Sequence, residues 1–240
     1  MTQPLCRGRV IENKALTHDV KQITIKPVEP PQLQFSAGQY ISIEVTEVKE
    51  GVSRRNNRPY SIASPPEEKE MIQLCFNLVR GGPGSTYLSS LKTGEEIGFF
   101  YPMGYFLLNE TGPSDILFVA TGTGIAPLRS MIHHLFNVGS DRKMTLYWGL
   151  RSERDLYYQE EFRGIAENHP SFRFVTTLSK PNDDWSGARG RVTRHLAEKT
   201  DGVDGLEVYL CGNGEMIKEV RQILVGKGMD RKAIHYEKFY

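Results

Sequence analysis

The chain has few cysteines and no long apolar run, and each shortage removes a class of protein. Cys6, Cys75 and Cys211 are the only cysteines in 240 residues, odd in number and widely spaced. That argues against a disulfide framework. It also excludes a four-thiolate iron–sulfur cluster held by this chain alone. Any such centre is expected on another protein, and no metal site is expected here. No apolar stretch reaches the roughly 18 residues of a membrane span. Met1 to Val10 carries two arginines but no apolar signal core, so export is not expected and a cytoplasmic location is. The 30 basic residues nearly balance 29 acidic ones, a net charge of +1. Nothing in that balance calls for nucleic acid, a membrane surface or an acidic partner.

What is present is ordinary globular composition, 39% hydrophobic and 25% charged, with a change of rhythm half-way. Val20–Ile25 and Tyr40–Val45 alternate polar and apolar residues, and Met71–Val79 and Ile97–Phe100 are apolar-rich. Gly and Pro punctuate between them, so the first half reads as a small antiparallel barrel. Its one helix is expected at Ser85–Leu91, and Gly51–Asn57 reads as a polar, basic loop. From Ile116–Ala120 onward, short apolar runs alternate with helical patterns. Strands are expected at Met144–Trp148, Phe172–Leu178 and Glu207–Leu210, and helices at Leu128–Leu135, Leu156–Ile165, Val192–Leu196 and Met216–Leu224. That alternation implies an open parallel sheet with helices on both faces. The polar turn Glu110–Pro113 marks the boundary, giving domains 1–110 and 111–240.

Three strings carry chemistry. Arg58-Pro59-Tyr60-Ser61 offers a guanidinium for a pyrophosphate, an aromatic face and a hydroxyl. Alone, it reads equally well as a surface arginine beside a core tyrosine. Downstream, Asn77-Leu78-Val79 leads into Gly84-Ser85-Thr86, where glycine and a helix start favour an anion. Thr121-Gly122-Thr123-Gly124-Ile125-Ala126-Pro127 joins a buried strand to a helix and presents main-chain N–H groups to a pyrophosphate. Pro127 stands at the third glycine position of the common dinucleotide fingerprint, and proline is tolerated in a first helical turn. Cys211-Gly212-Asn213-Gly214-Glu215-Met216 follows the last expected strand. A cysteine there reads, by itself, as a small buried thiol.

Arg58–Ser61 with Gly84–Thr86 resembles the flavin site of the ferredoxin–NADP reductase superfamily, bacterial type. Tyr101-Pro102-Met103-Gly104-Tyr105-Phe106 resembles its interdomain segment G-P-x-G-x-F, with Tyr101 in place of the first Gly. The resemblance implies an N-terminal antiparallel Greek-key β-barrel that binds FAD and a C-terminal Rossmann-like α/β domain that binds NAD(P). It implies that Thr121–Pro127 cradles the nucleotide and that Thr123 also approaches the flavin. It sets Ser61 near flavin N5 and Cys211 near the nicotinamide. Gly212, Asn213 and Met216 follow Cys211 in the nucleotide site. Tyr240 is its candidate for stacking on the flavin, with packing of Phe239 and Tyr240 on the core as the alternative. Arg151, Ser179, Lys180 and Arg191 resemble the 2′-phosphate residues of NADP-type members, with Lys180 where Arg is more frequent. The implied activity is hydride transfer between NADPH and flavin N5, coupled to one-electron exchange with a ferredoxin or flavodoxin. Two rivals stay open: an NADH-dependent reductase subunit of an oxygenase, and a non-catalytic flavin electron-transfer subunit. The ending Tyr236–Phe239 resembles oxygenase-reductase relatives and feeds the first. Oligomeric state is not legible.

Overall fold

A computed structural model describes residues 5–49, 52–112, 114–199 and 202–239. The chain divides into two compact units, Met1–Leu108 with Arg129–Val138, and Asn109–Leu128 with Gly139–Tyr240.

The first unit is a sheet of six antiparallel strands. They are β1 (Cys6–Ala15), β2 (Val20–Glu29), β3 (Tyr40–Lys49), β4 (Val52–Ser61), β5 (Ile72–Asn77) and β6 (Glu96–Met103), in the order β4-β3-β6-β1-β2-β5. An isolated antiparallel bridge between Ile62 and Leu74 ties the end of one edge strand to the other, which curls the sheet toward a barrel. Alternate residues point inward: Ile23 and Ile25, Ile41 and Ile43, Ile72 and Leu74 are all fully buried. Helix α1 (Pro83–Ser90) sends Leu88 into the same core. Gly51–Asn57, expected as a loop, is mostly strand. Val52–Asn57 forms the first part of β4, paired residue for residue with Lys49–Glu44. An edge strand with few buried side chains needs no apolar alternation, and its partner supplies the hydrogen bonds.

The second unit is a sheet of six parallel strands. They are β7 (Asp115–Thr121), β8 (Met144–Leu150), β9 (Phe172–Leu178), β10 (Ala188–Arg189), β11 (Leu206–Asn213) and β12 (Ile234–Phe239), in the order β10-β9-β8-β7-β11-β12. The helices that follow its strands are α2 (Ile125–Asn137), of which only the first turn belongs to this unit, α3 (Gln159–Asn168), α4 (Val192–Lys199) and α5 (Gly214–Gly226). Leu117, Val119, Val208 and Leu210 pack with Leu196 of α4 and Val220 of α5. On the other face, Trp148 meets Phe162 of α3 edge-on at 6.1 Å. Burial on both faces explains the unbroken apolar runs. The strand order turns back at β7, which places a crevice at its carboxyl end.

The units part at Leu108 and Asn109, close to the expected polar turn (Pro113 lies outside the described residues). Arg129–Val138, placed by its sequence position in the second domain, groups with the first unit instead. The cause is polar. Arg129 Nη1 donates to the Ala63 carbonyl at 2.8 Å and to Gln73 Oε1 at 2.9 Å, and Ser130 Oγ donates to the Ser64 carbonyl at 2.8 Å. The C-terminal string expected as an aromatic end is β12, a sixth strand parallel to β11. Helix α3 starts three residues later than expected. Asp155 accepts from both the N–H and the hydroxyl of Ser152, closing a separate 3-10 turn over Glu153–Asp155, and Tyr158, left-handed at a φ of 52°, stands immediately before α3.

Candidate functional site

On the first unit, Arg58–Ser61 is the last turn of alternation of edge strand β4, where a proline is tolerated. Ser61 is buried, Arg58 and Tyr60 are half-buried. The Tyr60 ring meets Phe76 edge-on at 5.9 Å. Burial, opposed by the Arg58 charge, pushes its phenol up to about 12, so the ring stays neutral. Gly84 lies against this strand: a Cβ there would stand 2.5 Å from Tyr60 Oη and 3.0 Å from Arg58 Cγ. The strand end and the first turn of α1 therefore form one cradle. Gly82 caps α1 with no side-chain hydrogen bond, and Pro83 opens it. The N–H groups of its first turn thus keep an anion-binding face.

The Ser85 hydroxyl serves the loop itself. Ser85 Oγ accepts from the Val79 N–H at 3.1 Å and reaches the Val79 and Gly82 carbonyls at 3.3 and 3.2 Å. It closes the loop from β5 to α1, and its main-chain N–H is what remains for a phosphate. Thr86 is exposed, and its N–H is used by the Gly82 carbonyl. Asn77 ends β5, while Leu78 and Val79 are 39% and 58% exposed, an apolar surface suited to a flat ring. Sequence reasoning missed the brace at the far end of α1. Asn13 Nδ2 donates to the Leu88 and Leu91 carbonyls at 2.8 and 2.7 Å, and Lys21 Nζ reaches the Ser89 carbonyl at 3.1 Å. Nothing in the sequence connects these strand residues with the helix.

On the second unit, Thr121 ends β7 and Gly122–Gly124 forms a 3-10 turn leading into α2. Two supports hold the turn. Trp148 Nε1 donates to the Gly122 carbonyl at 3.0 Å, and Thr121 Oγ1 accepts the Asn213 N–H at 2.9 Å. The 3-10 turn presses so closely on the end of β11 that a Cβ on Gly124 would lie 2.3 Å from the Cys211 carbonyl oxygen. Ile125, Pro127 and Met216 are buried, as is Thr123 within the turn. Asn213 caps α5, its Oδ1 accepting from Glu215 and Met216 N–H. Cys211 is fully buried, and burial, followed by the charge of Glu237, pushes its thiol well above the ordinary range. It is a neutral thiol.

Main-chain hydrogen bonds gather the four 2′-phosphate candidates. Ser179 N–H donates to the Leu150 carbonyl at 3.0 Å and Lys180 N–H to the Arg151 carbonyl at 2.7 Å; Gly190, preceding Arg191, donates to the Leu178 carbonyl at 2.7 Å. All four residues are exposed. Among the described residues, the side chains of Arg151, Ser179 and Lys180 make no hydrogen bond or ion pair, and Arg191 only a 3.7 Å pairing with Glu219. Tyr240 lies outside the described residues. At the opposite end of this sheet is a network the sequence did not announce. Buried Arg142 donates to the Ser114 and Asn109 carbonyls and to Glu207 at 2.9 Å, and His235 reaches Glu207 at 3.1 Å while stacking on Tyr209. It anchors the start of the unit.

Residues 7–107 match the family model of the oxidoreductase FAD-binding domain, and residues 118–222 that of the oxidoreductase NAD-binding domain. The chain is 32% identical over 243 residues to ferredoxin–NADP reductase B of Sorangium cellulosum, covering 97% of this chain and 96% of that protein. The chain belongs to the ferredoxin–NADP reductase family. As a member, it is a flavin-dependent NAD(P)H oxidoreductase that takes FAD and a pyridine nucleotide. The cradle at Gly84, the uncapped N–H groups of α1 and the exposed apolar Leu78–Val79 fit a flavin with an anionic tail. Phenol hydroxylase P5 protein of Acinetobacter pittii is 31% identical over 237 residues, and this chain spans 65% of that protein's length. The solved cytochrome P450 reductase GcoB of Amycolatopsis is similar over 100% of this chain and 71% of its own, at 30% identity and a TM-score of 0.85. No helix among the described residues is long and apolar enough to cross a membrane.

Proposed function

We propose that this reductase is specific for NADP(H) and exchanges electrons with a ferredoxin or flavodoxin, with FAD on residues 1–110 and the nucleotide on residues 111–240. The observation that carries the nucleotide preference is the cluster of Arg151, Ser179, Lys180 and Arg191. Three cations and a hydroxyl, drawn to one end of the sheet and left almost without protein partners, suit a phosphomonoester. When bound, FAD supplies the exchange between a two-electron hydride carrier and a one-electron partner.

The chain's own part is binding and orientation. Arg58 and the first-turn N–H groups at Gly84 and Ser85 hold the FAD pyrophosphate, and Tyr60, Leu78 and Val79 lie against the ring system. Pro59, Asn77 and Thr86 would complete that surface, with the buried Ser61 beside the reactive end of the ring. The turn from Thr121 to Pro127 presents N–H groups to the nucleotide pyrophosphate, with Gly212, Asn213 and Met216 as its floor. Cys211, held neutral by burial, adds no charge beside the nicotinamide.

Steady-state kinetics with both nucleotides tests the reading. NADPH is expected to give the higher kcat/KM, and replacing Arg151, Lys180 and Arg191 by Gln is expected to raise the KM for NADPH selectively. The 31% identity to a phenol hydroxylase component favours a second reading, an NADH-dependent reductase of an oxygenase system. A strong NADH preference unaffected by those substitutions would establish it over the first.

A further inference from the structure

The segment between β9 and β10 begins with Ser179-Lys180 and closes just before Arg191, so its shape sets the spacing of three of the four phosphate candidates. Two side chains hold it. Arg189 is not available to a ligand in the same way as Arg191: its Nη2 donates to the main-chain carbonyls of Asn182 (3.1 Å), Asp183 (2.6 Å) and Trp185 (2.8 Å). The guanidinium thus fills a nest of loop carbonyls. Glu153 anchors the other side, its Oε1 accepting the Asn182 N–H at 2.8 Å. Glu153 stands two residues after Arg151, whose carbonyl accepts the Lys180 N–H. The Trp185 indole donates to the Ala188 carbonyl at 3.1 Å and packs where a Cβ on Gly187 would lie 2.4 Å from the ring.

We propose that Arg189 and Glu153 are positioning residues for 2′-phosphate recognition. They tie the loop so that Arg151, Ser179, Lys180 and Arg191 converge, without touching the ligand themselves. The inference rests on the NADP(H) reading. Its physical basis is preorganisation: a loop fixed before binding does not have to be ordered by the ligand.

Glu153 makes the idea separable from simple electrostatics. Removing a carboxylate near an anion site strengthens anion binding if charge alone matters. Removing a loop anchor weakens it. The test is calorimetric titration of the FAD-loaded protein and of E153A and R189A with 2′,5′-ADP and with 5′-AMP, which share everything but the 2′-phosphate. The wild type is expected to prefer 2′,5′-ADP. Each variant is expected to lose about five- to tenfold of that preference through weaker 2′,5′-ADP binding, with 5′-AMP unchanged. R189K is expected to recover part of the loss, since an ammonium still donates to one or two carbonyls.

Several outcomes overturn the proposal: a preference unchanged in both variants, an equal loss for both ligands, or tighter 2′,5′-ADP binding by E153A. A wild type that does not distinguish the two ligands removes the NADP(H) reading and this inference together. A discriminating wild type with unaltered variants removes the inference alone. Should R189A not fold, E153A decides by itself.

Discussion

Replacing Gly124 by alanine puts the main-chain packing of the nucleotide turn under direct load. The new methyl would sit 2.3 Å from the carbonyl oxygen of Cys211, 2.5 Å from its carbonyl carbon and 2.7 Å from Gly212 Cα. Ordinary contact begins at 3.4 Å, so the 3-10 turn and the end of β11 must separate by about 1 Å. The three nearest atoms are all main chain, so no side-chain rotation moves them aside. Overpacking of this kind costs about 1–3 kcal/mol, which lowers Tm by roughly 2–12 °C for a chain of this size. The same separation breaks the Asn213–Thr121 hydrogen bond and tilts the turn, weakening nucleotide binding by about tenfold or more. Gly122 provides the control. It has a positive φ of 52° but nothing within 4 Å of a Cβ, so G122A pays only the backbone strain of about 1 kcal/mol. Thermal melts and calorimetric titration with NADP+ and NADPH, with FAD content measured alongside, read all three quantities. FAD content is expected to stay at the wild-type level in both variants. A G124A protein with wild-type Tm and nucleotide affinity would refute the packing described for this turn.

The remaining expectations concern the cradle, the anchor network and the loop before α1. G84A is expected to lose FAD, because its methyl would displace Tyr60 Oη and Arg58 Cγ from 2.5 and 3.0 Å; the flavin-to-protein absorbance ratio of the purified protein reads this, and a full complement of FAD would count against the cradle. Burial pushes Glu207 up, but hydrogen bonds from Arg142, Asn109 and His235 outweigh it and hold the carboxyl below its ordinary value. A depressed carboxyl stabilises the fold above its unfolded value of about 4.3 and stops doing so as pH falls through the folded one. Melts from pH 7 to 3 are therefore expected to show an acid-side loss of Tm that E207Q reduces, while E207Q at pH 7 is destabilised by about 3 kcal/mol because buried Arg142 loses its counter-charge. Identical acid profiles would sink that argument. S85A is expected to destabilise the loop by about 1 kcal/mol through loss of the Val79 hydrogen bond while retaining FAD; loss of FAD without loss of stability would return the hydroxyl to the ligand.

How much of this was legible in the sequence depended on where each signal lay. The nucleotide turn was readable because an apolar strand buried on both faces, Ile116–Ala120, runs straight into it. The short β–α repeats of the second unit were readable for the same reason. In the first unit β1 escaped notice. Its buried positions are Cys6, Gly8 and Val10, and a glycine in the middle of the inward face hides the alternation. At Gly8 a Cβ would lie 2.4 Å from Ile25, so glycine is the core residue there. Strand β4 was hidden by its charge, since an edge strand carrying Arg54, Arg55 and Arg58 looks like a loop until its partner is known. Of the candidate residues, the sequence placed Ser85 correctly at a helix start but could not show that Val79 and Gly82 use its hydroxyl. The Arg142–Glu207 pair spans 65 residues and has no local signature. The grouping of Arg129–Val138 with the first unit likewise follows from hydrogen bonds to Ala63 and Ser64 that no local pattern announces.

The most direct test is an anaerobic rapid-mixing titration of the purified protein with NADPH and, in parallel, NADH, following the flavin absorbance. A yellow protein that is bleached by NADPH at lower half-saturating concentration than by NADH, and recovers its colour on adding an oxidised ferredoxin or flavodoxin, is the result this account requires. A colourless protein that takes up no FAD, or one bleached more readily by NADH, would contradict it.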